Sequence, residues 1–134
     1  MNRKDVLKDI KDTFDSVPGF FETLPDEVLE EEWRLFKKEI SSDTIPSKYQ
    51  HLIGLGVASA IRCQYCTMFH TVMASELGAT EEEINAAIRQ SKQVVGWSTY
   101  LHGIRYDIKK LENELDQMVA FLRSHKKETV GARR

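Results

Sequence analysis

The chain reads as all-α. Apolar residues recur at steps of three and four, and the three prolines and seven glycines cut the sequence into helix-length pieces. No stretch alternates Val, Ile, Thr and aromatic residues with polar ones as a half-buried strand does. A helical bundle of about six helices is expected. In the first piece Leu7, Ile10, Phe14 and Val17 form one apolar stripe that ends at Pro18-Gly19. A second helix starts near Pro25-Asp26 and carries Leu29, Trp33, Phe36 and Ile40 on one face. The acidic Asp26, Glu27, Glu30, Glu31 and Glu32 at its start suit the positive end of the helix dipole. Ser41 to Pro46 reads as a loop.

From Ser47 to Leu77 the pattern is helical and rich in small residues. Gly54 and Gly56 each cost about 1 kcal/mol relative to alanine inside a helix, so their presence predicts another backbone in close approach. Gly78 ends this region, and Thr80-Glu81-Glu82-Glu83 matches a capping box that opens a helix to about Val95. After Gly96 a last helix is expected, with Leu101, Ile104, Ile108, Leu111, Leu115, Met118 and Leu122 in one seam. That seam can pack on the first two helices or form a subunit interface. The stretch from Lys126 to Arg134 is polar and reads as frayed.

The 134 residues suit a single domain spanning 1–134. No run approaches the ~20 apolar residues needed to span a bilayer, and the charged start lacks the apolar centre of a secretory signal. The reading is a soluble, cytoplasmic protein with no membrane partner. A net charge of −2 supplies no field for holding phosphate backbones, so no nucleic-acid partner is expected.

Cys63 and Cys66 are the only cysteines, and they are too close together to brace distant segments. They belong to Cys63-Gln64-Tyr65-Cys66-Thr67-Met68-Phe69-His70. At about 100° per residue, Cys63, Cys66 and His70 fall within one ~60° sector of a helix. His70 stands four residues after Cys66, where an imidazole can take the thiol proton and then stabilise the thiolate. A second thiol three residues away can resolve an oxidised sulfur as an intramolecular disulfide. Cys66 is the preferred nucleophile and Cys63 the resolving thiol, although a helix beginning near Ile61 would favour the thiolate at Cys63.

Two rival readings use the same residues. Cys63, Cys66 and His70 could be three ligands of a metal, with His51, His102 or a neighbouring subunit supplying the fourth. They could also be two buried thiols and a satisfied histidine in a bundle core. His102 reads as structural, His125 as solvated, and Tyr65 as a residue that tunes access to the sulfurs. Trp33 and Trp97 read as core or interface. No Gly-x-Gly-x-x-Gly turn is present, and no cofactor is expected.

The stretch Ile45-Pro46-Ser47-Lys48-Tyr49-Gln50-His51-Leu52-Ile53-Gly54-Leu55-Gly56-Val57-Ala58-Ser59-Ala60 precedes the Cys-x-x-Cys-x-x-x-His motif. Ala74, Gly78-Ala79-Thr80 and Glu82-Glu83-Ile84 follow it. Together these residues resemble the carboxymuconolactone decarboxylase family and, within it, the AhpD-like alkylhydroperoxidases. The likeness runs from the Pro46 region to Gly96, with a weaker echo in Pro25 and Trp33. It implies an AhpD-like helical fold that assembles into a homotrimer or homohexamer. The implied activity is an antioxidant peroxidase or protein-disulfide reductase that takes a hydroperoxide or disulfide and is recycled by an external dithiol or protein reductant. The resemblance puts the nucleophile on Cys66, the resolving thiol on Cys63 and the proton relay on His70.

In that branch a glutamate commonly stands twelve residues before the first cysteine, where this chain has His51. On one continuous helix His51 would lie about 18 Å from Cys63, so it joins the relay only if the chain turns back between them, as the resemblance implies. The family name also admits a lactone decarboxylase, whose enolate-like intermediate needs polar donors and not a dithiol. A metal-binding or assembly module is the non-catalytic alternative.

Overall fold

The computed structural model describes residues 2–126, and these form seven α-helices with no strand among them. The helices are α1 (Arg3–Phe14), α2 (Gly19–Glu22), α3 (Asp26–Ile40), α4 (Ser47–Ile61), α5 (Gln64–Glu76), α6 (Glu81–Gly103) and α7 (Ile108–Ser124). The chain divides into two compact units, residues 1–87 and 88–134.

In the first unit, Asn2 caps α1 by accepting the Asp5 amide at 3.0 Å. The expected first stripe is shorter than its spacing suggested. Left-handed Asp15 stops α1, and Val17 lies in the non-helical link before the extra helix α2, which brings the helix count to seven rather than about six. Val6, Ile10, Phe21, Leu29 and Trp33 form the buried core, with Leu7, Phe14, Val17, Leu24 and Phe36 packed against it. The aromatic rings interlock: Phe14 and Phe21 meet Trp33 edge-on at 5.6 and 5.7 Å, and Trp33 stacks on Phe36 at 5.6 Å. Polar bonds fix the register of this region. Arg3 donates to the carbonyls of Leu24 and Glu22 at 2.8 and 2.7 Å and to Asp26 at 2.9 Å. Asp9 accepts from the Trp33 indole at 2.9 Å and pairs with Lys37.

The helical pattern from Ser47 to Leu77 is two helices, not one. Arg62, at φ 59°, is left-handed and ends α4. Its amide bonds to the Ser59 carbonyl and the Cys63 amide to the Ala58 carbonyl, which is the bond pair of a Schellman turn. Cys63 is the next residue and is already the N-cap of α5. The reversal is therefore as short as a helical hairpin allows, and α5 doubles back against α4. Leu55, Ala58 and Ala74 are buried in this region. Beyond α5, Gly78 adopts φ +90°, and the expected capping box forms. The Glu83 amide donates to Thr80 Oγ1 at 3.1 Å and the Thr80 amide to Glu83 Oε2 at 2.9 Å. Lys48 reaches Glu83 at 3.0 Å and ties α4 to this cap.

The second unit corrects another expectation. The helix does not restart after Gly96; α6 runs through that glycine to Gly103. Left-handed Arg105 and the Asp107 cap, which accepts the Lys110 amide at 2.7 Å, then open α7. Leu101 and the rest of the seam thus fall on different helices with Ile104 between them. None of the α7 side chains is buried, so its stripe of Ile108, Leu115, Met118 and Leu122 is exposed. Among the described residues no helix is long and apolar enough to cross a membrane. Most of the polar end, residues 127–134, lies outside the described residues.

Candidate functional site

The α4–α5 hairpin assembles the four residues singled out in the sequence as two pairs. The first pair is the thiols. Cys63, half-buried at the N-cap, accepts the Cys66 amide on its Sγ at 3.3 Å, while Cys66, on the first turn of α5, is exposed. A hydrogen bond from the Cys66 thiol is the main reason the Cys63 pKa falls below its ordinary value, helped by the backbone amides of Cys66 and Tyr65. The same bond, together with partial desolvation, pushes the Cys66 thiol up. The helix start thus favours a thiolate on Cys63, with Cys66 as its proton-bearing neighbour.

The second pair is the histidines. Because the chain turns back at Arg62, His51 on α4 meets His70 on α5, with Nδ1 to Nδ1 at 3.0 Å. His51 is buried and His70 partly so. Two Nδ1 atoms at that distance share one proton, so one ring donates through Nδ1–H and the other accepts and carries its own proton on Nε2. A second charge would set two N–H groups head to head. Desolvation lowers both imidazole pKa values, and for His51 the neighbouring His70 adds to the effect. Phe69 stands edge-on to both rings, at 5.7 Å from His51 and 5.1 Å from His70.

Gly54 explains how the rings meet. A Cβ built at this position would lie 2.5 Å from His70 Cε1 and Nε2 and 2.7 Å from its Nδ1. Gly54 lies one turn beyond His51 on the same face of α4, so the missing side chain is the seat of the imidazole. The expected close backbone is therefore an aromatic side chain. A Cβ built at Gly56 would instead meet a backbone, the Ala87 carbonyl oxygen, at the ordinary contact distance of 3.8 Å.

Among the described residues no hydrogen bond joins either thiol to His70, although Cys66 and His70 occupy successive turns of α5. Among them, too, no group of three or more His, Cys, Asp and Glu side chains is arranged to hold a metal ion. His102 bonds to the Ser98 carbonyl of its own helix at 2.7 Å, and His125 stacks on Phe121 at 4.1 Å. Trp33 is core, whereas Trp97 is exposed with Tyr100 at 6.3 Å.

The sequence reading missed a cavity of about 710 Å³ that opens beside Cys66. Phe14, Phe20, Phe21 and Phe36 line it from the α1–α3 side, and Tyr65, Phe69 and Met73 line it from α5. Glu32 is its one acidic member, and Cys66, not Cys63, is the sulfur in its wall. The exposed Phe20 and Tyr65 were the available signals, because neither fits a core stripe.

Residues 27–107 match the sequence profile of the carboxymuconolactone decarboxylase family. A crystal structure of a protein from Methanobacterium thermoautotrophicum is similar at a TM-score of 0.56 and 27% identity. That match covers 66% of this chain and 99% of the other. No curated protein matches.

Proposed function

The chain belongs to the carboxymuconolactone decarboxylase family, and from that premise we propose that it is a thiol oxidoreductase of the AhpD-like type, cycling Cys63 and Cys66 between dithiol and disulfide to reduce hydroperoxides. The observation that carries this reading is the thiol pair itself. One sulfur is held as the N-cap acceptor of α5, and the other stands three residues on, in the wall of an apolar cavity. Apolar walls suit an organic hydroperoxide. Apart from the Tyr65 phenol and the Cys66 thiol, the lining side chains offer no donor to the enolate-like intermediate of a decarboxylation.

The chemistry runs in three balanced steps. Cys66 gives its proton to His70 and attacks the terminal peroxide oxygen. The O–O bond breaks, the alkoxide leaves and takes a proton to become an alcohol, and Cys66 becomes a sulfenic acid. The Cys63 thiolate then attacks that sulfur; the S–S bond forms, the S–O bond breaks and hydroxide leaves as water once protonated. An external dithiol reduces the disulfide by two exchanges and is itself oxidised to a disulfide. His51 shares an Nδ1 proton with His70, so the pair can carry one imidazolium charge, and a second would set two N–H groups head to head.

Peroxide consumption with a small dithiol as donor tests the proposal. Cys66→Ser should abolish turnover, and Cys63→Ser should leave a trappable sulfenic acid on Cys66 after one equivalent of peroxide. Unchanged turnover in Cys66→Ser would remove the reading. A sulfenic acid trapped on Cys63 in Cys66→Ser, with none on Cys66 in Cys63→Ser, would transfer the attack to the more acidic thiol.

A further inference from the structure

One wall of the cavity beside Cys66 does not belong to the part of the chain that matches the family. Phe14, Pro18, Phe20, Phe21 and Leu24 all precede residue 27, where the family match begins. We propose that this α1–α2 segment is the specificity element of the site, restricting it to hydroperoxides with a bulky, uncharged, apolar body. The proposal rests on the peroxidase reading above and adds the substrate class.

Size, polarity and charge carry the argument. A cavity of about 710 Å³ is within the range that encloses a ring-bearing molecule. Hydrogen peroxide has no apolar surface to bury there and gains nothing from the aromatic walls. Phe20 is 66% exposed and Val28 41% exposed, yet both line the cavity. They are therefore apolar surface that an apolar guest would cover, and their exposure also makes them replaceable without loss of the core. Phe20 is braced by Phe21 at a ring separation of 4.5 Å, and Phe21 is anchored in the Trp33 cluster. The added wall is thus anchored through Phe21 in the α1–α3 core. The lining contains no Lys, Arg or His, and Glu32 is its only ionisable carboxylate. A guest bearing a carboxylate would lose its hydration, find no cation and meet a like charge.

The test uses 2-phenyl-2-propanol, the redox-inert alcohol formed when the matching aryl hydroperoxide is reduced. It should slow alkylation of Cys66 by iodoacetamide, read by mass spectrometry, while a para-carboxylated analogue should not. Phe20→Ala should raise the alcohol concentration needed for half-protection about tenfold. Val28→Asp, which sets a second charge at the rim, should do the same. In turnover, the ratio of aryl hydroperoxide to hydrogen peroxide rates should fall by a similar factor in both variants. Equal protection by the two probes, or protection indifferent to both substitutions, would overturn the proposal. Protection without any peroxide turnover would support the wall and sink the redox reading. Turnover without protection would sink the wall and leave the redox reading standing.

Discussion

The α1–α3 region and the α4–α5 hairpin are built on opposite principles. The first buries large side chains: Trp33, Ile10, Leu29 and Val6 are all but fully buried, and aromatic rings interlock around Trp33. The second packs small residues closely, leaves Ile53, Val57, Ile61 and Met68 exposed, and buries His51 against another histidine. Apolar burial stabilises the first region by about 1.5–3 kcal/mol for each large side chain. The second buries only Leu55, Ala58, Ala74 and His51, so far less large apolar surface stabilises it. Stability and chemistry are thus divided between neighbouring elements. The first region supplies much of the cavity wall, and the hairpin carries the two thiols and the paired imidazoles.

The largest effect that would sharpen this contrast comes from Trp33→Ala. Loss of a fully packed indole, together with the Asp9 hydrogen bond, should destabilise the fold by about 3–5 kcal/mol in urea unfolding. An effect below about 1 kcal/mol would show that α1–α3 is not the stabilising region. Gly54→Ala should come next. The new methyl group must displace the His70 ring, at an overpacking cost of about 1–3 kcal/mol. It should also abolish the Nδ1–Nδ1 contact, read as a change of imidazole tautomer in nitrogen NMR. An unchanged tautomer would show that the glycine is not the seat of the ring.

Acid titration should separate the two regions by pH. The imidazole pKa values of His51 and His70 lie below their ordinary 6.5 in the folded chain. Below about 6.5 the unfolded chain therefore binds more protons, and stability falls as the pH drops, levelling only once the folded imidazoles also charge. Above 6.5 these groups contribute nothing to the pH dependence. Asp9 behaves differently. The hydrogen bond from Lys37, then that from Trp33, holds its carboxyl below 3.8, so its contribution is present above that value and is lost as the pH falls through the folded pKa. His51→Gln should weaken the limb below pH 6.5 and spare the more acidic one, whereas Asp9→Asn should do the reverse. Thiol reactivity that depends on a neutral imidazole should likewise persist to below pH 6.5 before it falls. The smallest effect should be Thr80→Ala, which removes one half of the capping box and costs about 1 kcal/mol.

The sequence made the helices legible where periodicity and caps agreed. Of the stripe Leu29, Trp33, Phe36 and Ile40, the first three pack as read and Ile40 is exposed, while the box Thr80–Glu83 stands as read because local chemistry determines it. It misled where a residue acts against its usual preference. Arg62 takes the left-handed position that a glycine normally marks, so the reversal between α4 and α5 carried no signal. Gly96 looks like a terminator and is helical, while the break falls between Gly103 and Asp107. Spacing brought Cys63, Cys66 and His70 into view as one helical sector, whereas Cys63 is the extended N-cap of α5 and only Cys66 and His70 lie on the helix. The contact between His51 and His70, nineteen residues apart, required the turn at Arg62, and the cavity required α1 and α2 to meet α5. Such long-range juxtapositions leave no periodic trace.

The central claim is that Cys63 and Cys66 act as one two-electron redox pair. The direct measurement is thiol titration with intact mass after adding one equivalent of an aryl hydroperoxide to the fully reduced protein. Both thiols should be lost per peroxide consumed, with a mass lower by two hydrogens and one equivalent of alcohol formed. Two thiols still titratable beside unconsumed peroxide, at unchanged mass, would contradict it.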